Sequence, residues 1–176
     1  MKKILLAALI LLITTSTLFA ATTDNFIVTT VVGNVDLMTV STTEYTGTTV
    51  DTFGKLTPFT KLVITSGGTQ TVNAWLSTLS NNRDGFSVSM MASAMKSSVA
   101  GNENAYINYT VSCNTVSVTT KDGSVVSSTK PVVAYPSLSK VTSTSNKIDL
   151  TVDQDSFDKA LSGSYTGTVT FVYTAN

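Results

Sequence analysis

Apolar residues recur at every second position along most of this chain, and helical spacing is scarce. Successive side chains of a strand point to opposite faces, so this alternation buries one face only when the chain is extended. A helix would need apolar residues three and four apart. The pattern runs close to both ends. In Asn25–Val32 (NFIVTTVV), Phe26, Val28, Thr30 and Val32 share one face. In the closing stretch Ser164–Asn176, Tyr165, Gly167, Val169, Phe171 and Tyr173 lie opposite Thr166, Thr168, Thr170, Val172 and Thr174.

Between these runs, Gly33-Asn34 interrupts the first strand, and Val35, Leu37 and Thr39 start a second. The Thr/Gly-rich stretch Ser41–Asp51 reads as loop or irregular edge strand. Leu62–Thr65 predicts a short apolar strand before a turn at Ser66-Gly67-Gly68. Thr71–Leu79 fits either period: Trp75 and Leu79 are four apart, while Val72, Ala74 and Leu76 alternate, and strand is favoured. Asn81–Gly85 is a turn, followed by alternating runs over Phe86–Ala94 and Ala105–Cys113. Val116 and Val118 lead to Lys121-Asp122-Gly123-Ser124, whose Asp-Gly pair predicts a hairpin returning through Val125 and Val126. Ile148, Leu150 and Val152 form a further strand. Asp155–Leu161 fits one helical turn capped by Asp155, with Gly163 past its end. Seven or more short strands separated by turns predict an all-β chain, a β-sandwich in one domain without internal repeats.

Residues 1–20 read as a secretory signal peptide. Lys2 and Lys3 precede an apolar run from Ile4 to Ile13, too short to cross a bilayer, and a small-residue site follows at Ala20-Ala21. No cysteine lies near the cut, which argues against a lipid anchor. The remaining 155 or so residues suffice for one domain with a core. The chain holds 11 Lys+Arg and 11 Asp+Glu, so losing Lys2 and Lys3 leaves 9 against 11, a net charge near −2. Nucleic acid and anionic membrane both need a basic surface, so neither is expected as a partner. Charged residues are only 12% of the chain, and Ser and Thr are abundant, which suits a weakly charged β-rich exported protein.

The chain contains no histidine. That removes the commonest general base, the Ser-His and Cys-His nucleophile pairs and most zinc or copper sites, so no enzyme, cofactor or metal is expected. Cys113 is the single cysteine, so no intrachain disulfide forms, and its place on the apolar side of a strand reads as a small buried hydrophobe. Asp153, Asp155 and Asp158 lack the central Gly and closing Glu of a calcium loop and read as a solvated connection. Trp75 reads as core packing before a sugar platform. Asn108-Tyr109-Thr110 matches the glycosylation sequon, with its Asn in mid-strand.

A strand at a chain end that is extended, free of proline and apolar at every second position is suited to add to the sheet edge of another chain. NFIVTTVV has these properties. Together with Val35-Asp36-Leu37-Met38, it resembles the mature N-terminus of alpha-class, colonisation-factor-type major pilins of the chaperone–usher pathway. There an "N-I-T-V-T-x-x-V" segment precedes a "V-I-D-L-L"-like strand. The close, GSYTGTVTFVYTAN, is similar to the "G-x-Y-x-G-x-V-x-x-V" strand of that family at Gly163, Tyr165, Gly167, Val169 and Val172. The motif-level match covers the two ends, about a quarter of the chain. Ala175 stands at the penultimate position, where many pilins carry an aromatic.

The resemblance implies an incomplete immunoglobulin-like β-sandwich completed by donor-strand exchange, in an exported structural subunit of a surface fimbrium. Residues 21–33 would be the donor segment and residues 34–176 the sandwich. Phe26, Val28, Thr30 and Val32 would fill the groove of the next copy. Tyr165, Gly167, Val169, Phe171 and Tyr173 would line the groove and meet a periplasmic chaperone. An outer-membrane usher and a minor tip adhesin are the other implied partners. The alternative is a self-complete secreted or periplasmic β-sandwich that binds carbohydrate or protein, with Asn25–Val32 paired inside its own domain.

Overall fold

The computed structural model describes residues 26–176. The expected signal peptide and Asn25 lie outside the described residues. The chain divides into two units, Met1–Val32 and a compact body Gly33–Asn176. In the first unit, Phe26–Val32 carry no helix or strand. Their large apolar side chains are exposed, Phe26 by 87% and Val31 by 95%. Over its described part, Phe26–Val32, the expected strand is not formed within this chain: alternation equips a segment for a ladder, but hydrogen bonds to a partner make the strand.

The body contains β1 (Asp36–Ser41), α1 (Val50–Phe53), β2 (Gly68–Gln70), β3 (Trp75–Ser80), β4 (Phe86–Ser97), β5 (Tyr106–Ile107) and β6 (Tyr109–Cys113). It continues with β7 (Val116–Thr119), β8 (Val125–Ser127), β9 (Val133–Tyr135), β10 (Thr142–Val152), α2 (Gln154–Asp158) and β11 (Tyr165–Ala175). One antiparallel sheet runs β1-β3-β10-β6-β7, with β2 also on β10. In the other, the long β4 has β11 along one edge and β5, β8 and β9 in succession along the opposite edge.

The alternation decides which faces meet. Phe86, Val88, Met90 and Ala92 of β4 point inward between Ser87, Ser89, Met91 and Ser93. They share one apolar cluster with Leu76, Val111, Cys113, Val118, Ile148 and Val152 of the other sheet. The chain is thus all-β, with two antiparallel sheets packed as a sandwich. Each large aliphatic or aromatic side chain buried there contributes about 1.5–3 kcal/mol.

Several expectations shift in place or partner. The stretch after β1 includes a helical turn, α1, whose Thr49 cap accepts from the Thr52 N–H at 3.3 Å. Tyr45 and Phe53 from this stretch meet edge to face at 5.0 Å and cover Leu79. Strand β3 is therefore buried on both faces after Trp75, which is why Thr71–Leu79 showed no clean period. Trp75 itself is half-buried. The Asp122-Gly123 turn forms, with Gly123 at φ +64° and Ser124 N–H donating to the Lys121 carbonyl at 3.0 Å. It is not followed by a hairpin, because β7 stays in the first sheet while β8 joins β4 in the second. Strand β9 was not anticipated. The α2 cap is Asp153 and not Asp155, its carboxylate accepting from the Ser156 N–H at 2.8 Å.

Leu76 is fully buried between the sheets. Leu76→Ala should destabilise the body by about 2–5 kcal/mol, read as a lower denaturant midpoint at unchanged slope.

Candidate strand-binding groove

Among the described residues, strand β11 pairs only with β4, so its second edge carries no ladder there. Its inward residues Tyr165, Gly167, Val169 and Phe171 form one wall of a groove of about 570 Å³. Phe59, Leu62 and Ile64 form the opposite wall, and Val72, Ala74, Val111, Ile148 and Leu150 lie at its base. The base residues belong to the core or pack on it, so the groove opens directly onto the hydrophobic interior.

The second wall explains an unfulfilled expectation. Leu62–Thr65 alternates in burial as a strand should, with Leu62 and Ile64 half-buried and Val63 exposed, yet it is not a strand. The Phe59 N–H still bonds the Val40 carbonyl at 2.8 Å. Beyond it, among the described residues, the backbone of Thr60–Thr65 makes no backbone–backbone hydrogen bond. Both walls thus present unpaired backbone beside apolar side chains, the arrangement that receives an added strand.

The β11 wall is held by a bulge. Pairing with β4 shifts register between Thr166 and Thr168, where the Thr168 N–H donates to Ser93 Oγ at 3.2 Å. A Cβ on Gly167 would come within 2.8 Å of the Ser93 carbonyl oxygen, so the close approach of the two strands requires glycine. From the other sheet, the Tyr109 hydroxyl reaches the carbonyls of Ser93 at 2.9 Å and Thr168 at 3.2 Å. Burial pushes the Tyr109 pKa up to about 12, so it remains a donor at all ordinary pH values.

Four of the five expected β11 residues line the groove, and Tyr173 does not. Its ring stacks on Phe86 at 4.9 Å, and its hydroxyl donates to Asp36 Oδ1 at 2.5 Å. Asp36 also accepts from Ser80 Oγ and Asn34 Nδ2, each at 2.7 Å. Burial acts to raise the Asp36 pKa, but the bonds from Tyr173, Ser80 and Asn34 hold it below its ordinary value. Burial and the bond to Asp36 push Tyr173 up to about 12. The expected donor residues Phe26, Val28, Thr30 and Val32 are all exposed. Residues not anticipated at the site are Phe59, Leu62, Ile64 and Tyr109. The alternation of Leu62 and Ile64 was visible in the sequence, but nothing there showed that their ladder partner is absent.

The other candidates have ordinary surroundings. Cys113 is buried, and burial followed by the charge of Asp149 pushes its thiol up to about 12. Asp153 caps α2, Asp155 approaches Lys159 at 3.9 Å, and Asp158 accepts from Gln154 at 2.8 Å. Asn108 of the sequon donates to Asp122 at 2.6 Å. Comparison with protein-family models, with curated proteins and with solved structures gives no match.

Two outcomes follow from this geometry. The depressed Asp36 pKa contributes stability above about pH 4, lost as pH falls through its folded value, and the raised Tyr173 pKa contributes below about pH 10, lost towards pH 12. In Tyr173→Phe, the Asp36 carboxyl should titrate closer to its ordinary value in an NMR titration, and the alkaline loss of stability should shrink. Gly167→Ala should cost about 1–3 kcal/mol through overpacking against β4, with amide exchange accelerated first along β11.

Proposed function

We propose that this chain is a structural subunit of a surface fimbrium, exported through the periplasm and polymerised head to tail by donor-strand complementation. In this reading the sandwich is immunoglobulin-like and lacks one strand, which a neighbouring copy supplies. The observation that carries it is the groove, apolar at its base and bordered on both sides by backbone without partners.

The dimensions of the donor support the reading. From Tyr165 to Phe171 the wall spans six residue steps, about 20 Å at roughly 3.3 Å per residue. Phe26 to Val32 spans the same number of steps and presents Phe26, Val28, Thr30 and Val32 at every second position. Burying Phe26, Val28 and Val32 would contribute about 1.5–3 kcal/mol each, besides about 0.5–1.5 kcal/mol per backbone hydrogen bond formed. The contact is heterologous, so its repetition builds an open filament and not a closed dimer. Before assembly, a periplasmic chaperone would occupy the groove and an outer-membrane usher would accept the subunit. A minor adhesin could end the filament. The role is mechanical and adhesive, with no catalytic step.

Cells making the chain with its chaperone and usher should show filaments by electron microscopy and an SDS-resistant ladder that collapses on boiling. Deleting Thr22–Val32 should leave chaperone-bound monomer and no ladder. Persistence of polymers after that deletion would rule out this donor. A monomer that unfolds reversibly without a chaperone would support the self-complete binding module instead.

A further inference from the structure

The turn Ser80–Gly85, between β3 and β4, holds both ends of the compact body. At the beginning, Asn81 makes three hydrogen bonds. Its Oδ1 accepts from the Val35 N–H at 2.7 Å, its Nδ2 donates to the Gly33 carbonyl at 2.8 Å, and its N–H donates to the Val35 carbonyl at 3.0 Å. The neighbouring Ser80 hydroxyl holds Asp36. At the end of the body, the Asn176 N–H donates to the Gly85 carbonyl at 3.1 Å, and its side chain donates to the carbonyls of Asp84 at 3.2 Å and Tyr135 at 3.1 Å. Tyr173 joins the two sides through Asp36. The turn is itself fixed, since Gly85 has φ +85° and a Cβ there would collide with the Tyr135 carbonyl.

We propose that this turn is a clasp that transmits tension, with Asn81 as its principal positioning residue. The inference rests on the filament reading: in a head-to-tail polymer each copy is pulled between its own N-terminal segment and the strand seated beside its β11. The pull enters at Gly33. Without Asn81 it would act on the end of β1 and peel that strand from β3 one pair at a time, starting at Asp36 and Ser80. With Asn81 in place, the bonds at Gly33, Val35 and Asp36 are loaded together. The load then passes through Asp36 and Tyr173 to β11, the wall of the groove, and the core ladders are spared. The clasp thus accounts for Tyr173, which the groove does not use.

Single filaments held at constant force give the subunit opening rate. Asn81→Ala leaves the groove and donor residues intact, so filaments should form, and opening should be about tenfold faster. Val118→Ala in β7 is the control, a core truncation away from the clasp that lowers thermal stability. Its opening rate should stay within about twofold of wild type. An unchanged rate in Asn81→Ala, or equal acceleration in both variants, overturns the clasp. Absence of wild-type filaments overturns the filament reading instead. The full-length monomer, held by handles ahead of Gly33 and after Asn176, then tests the clasp separately. Asn81→Ala must lower its opening force, and an unchanged force overturns the inference.

Discussion

Backbone N–H and C=O groups lying beside apolar surface have to be paired or hydrated, and a groove that opens onto a hydrophobic core satisfies neither requirement well. This constraint organises the molecule. Strand β11 is paired along one edge, interrupted only at its bulge, and among the described residues has no ladder on the other. Across the groove, Thr60–Thr65 alternates like a strand without becoming one. The sandwich contains the side chains of a closed core and the main-chain vacancies of an open one. Either property alone would be ordinary; together they leave an apolar trough bordered by unpaired main chain.

The supports of the groove follow from keeping one exposed wall in place. An edge strand with a free side has half the hydrogen bonds of a central strand, so other contacts must hold its position. Tyr109 reaches across from the opposite sheet to the carbonyl of Thr168, and Gly167 lets β11 approach β4 closely at the bulge. Tyr173 secures the far end against Phe86 and Asp36. These three residues act at the middle and end of the wall; Gly167 and Tyr109 belong to the groove surface itself, and Tyr173 lies outside it.

Much of this was legible in the sequence, because a period of two is a direct consequence of strand geometry. The alternating runs at Phe86–Ala94 and Tyr165–Tyr173 fall in strands with the expected faces inward, whereas Ala105–Cys113 keeps its inward face but divides at Asn108 into β5 of one sheet and β6 of the other. Structure and sequence pattern diverge where local pattern and partner choice part. The Asp122-Gly123 pair makes its tight turn from backbone preference alone, but whether the next strand returns beside the last depends on sheets remote in sequence. Leu79 confused the period because α1 buries a face of β3 that an isolated strand would expose. Asp153 and Asp155 are equally good caps by residue type, and only the chain path from β10 chose between them.

The sequence by itself determined the class of structure, the inward face of each main strand and an N-terminal segment able to serve as a strand. All of these depend on the order of residues along a few turns of chain. Only the tertiary structure decided which edges remain unpaired, that Leu62 and Ile64 face Tyr165 to Phe171 across a common trough, and that Asn81 and Asp36 gather the two ends of the body. Those facts depend on contacts between segments far apart in the chain, such as Asp36 with Tyr173, and local periodicity carries no information about them. Both ends look like strands for the same physical reason, and only pairing distinguishes them: β11 has found its ladder on β4, whereas Phe26–Val32 has formed none.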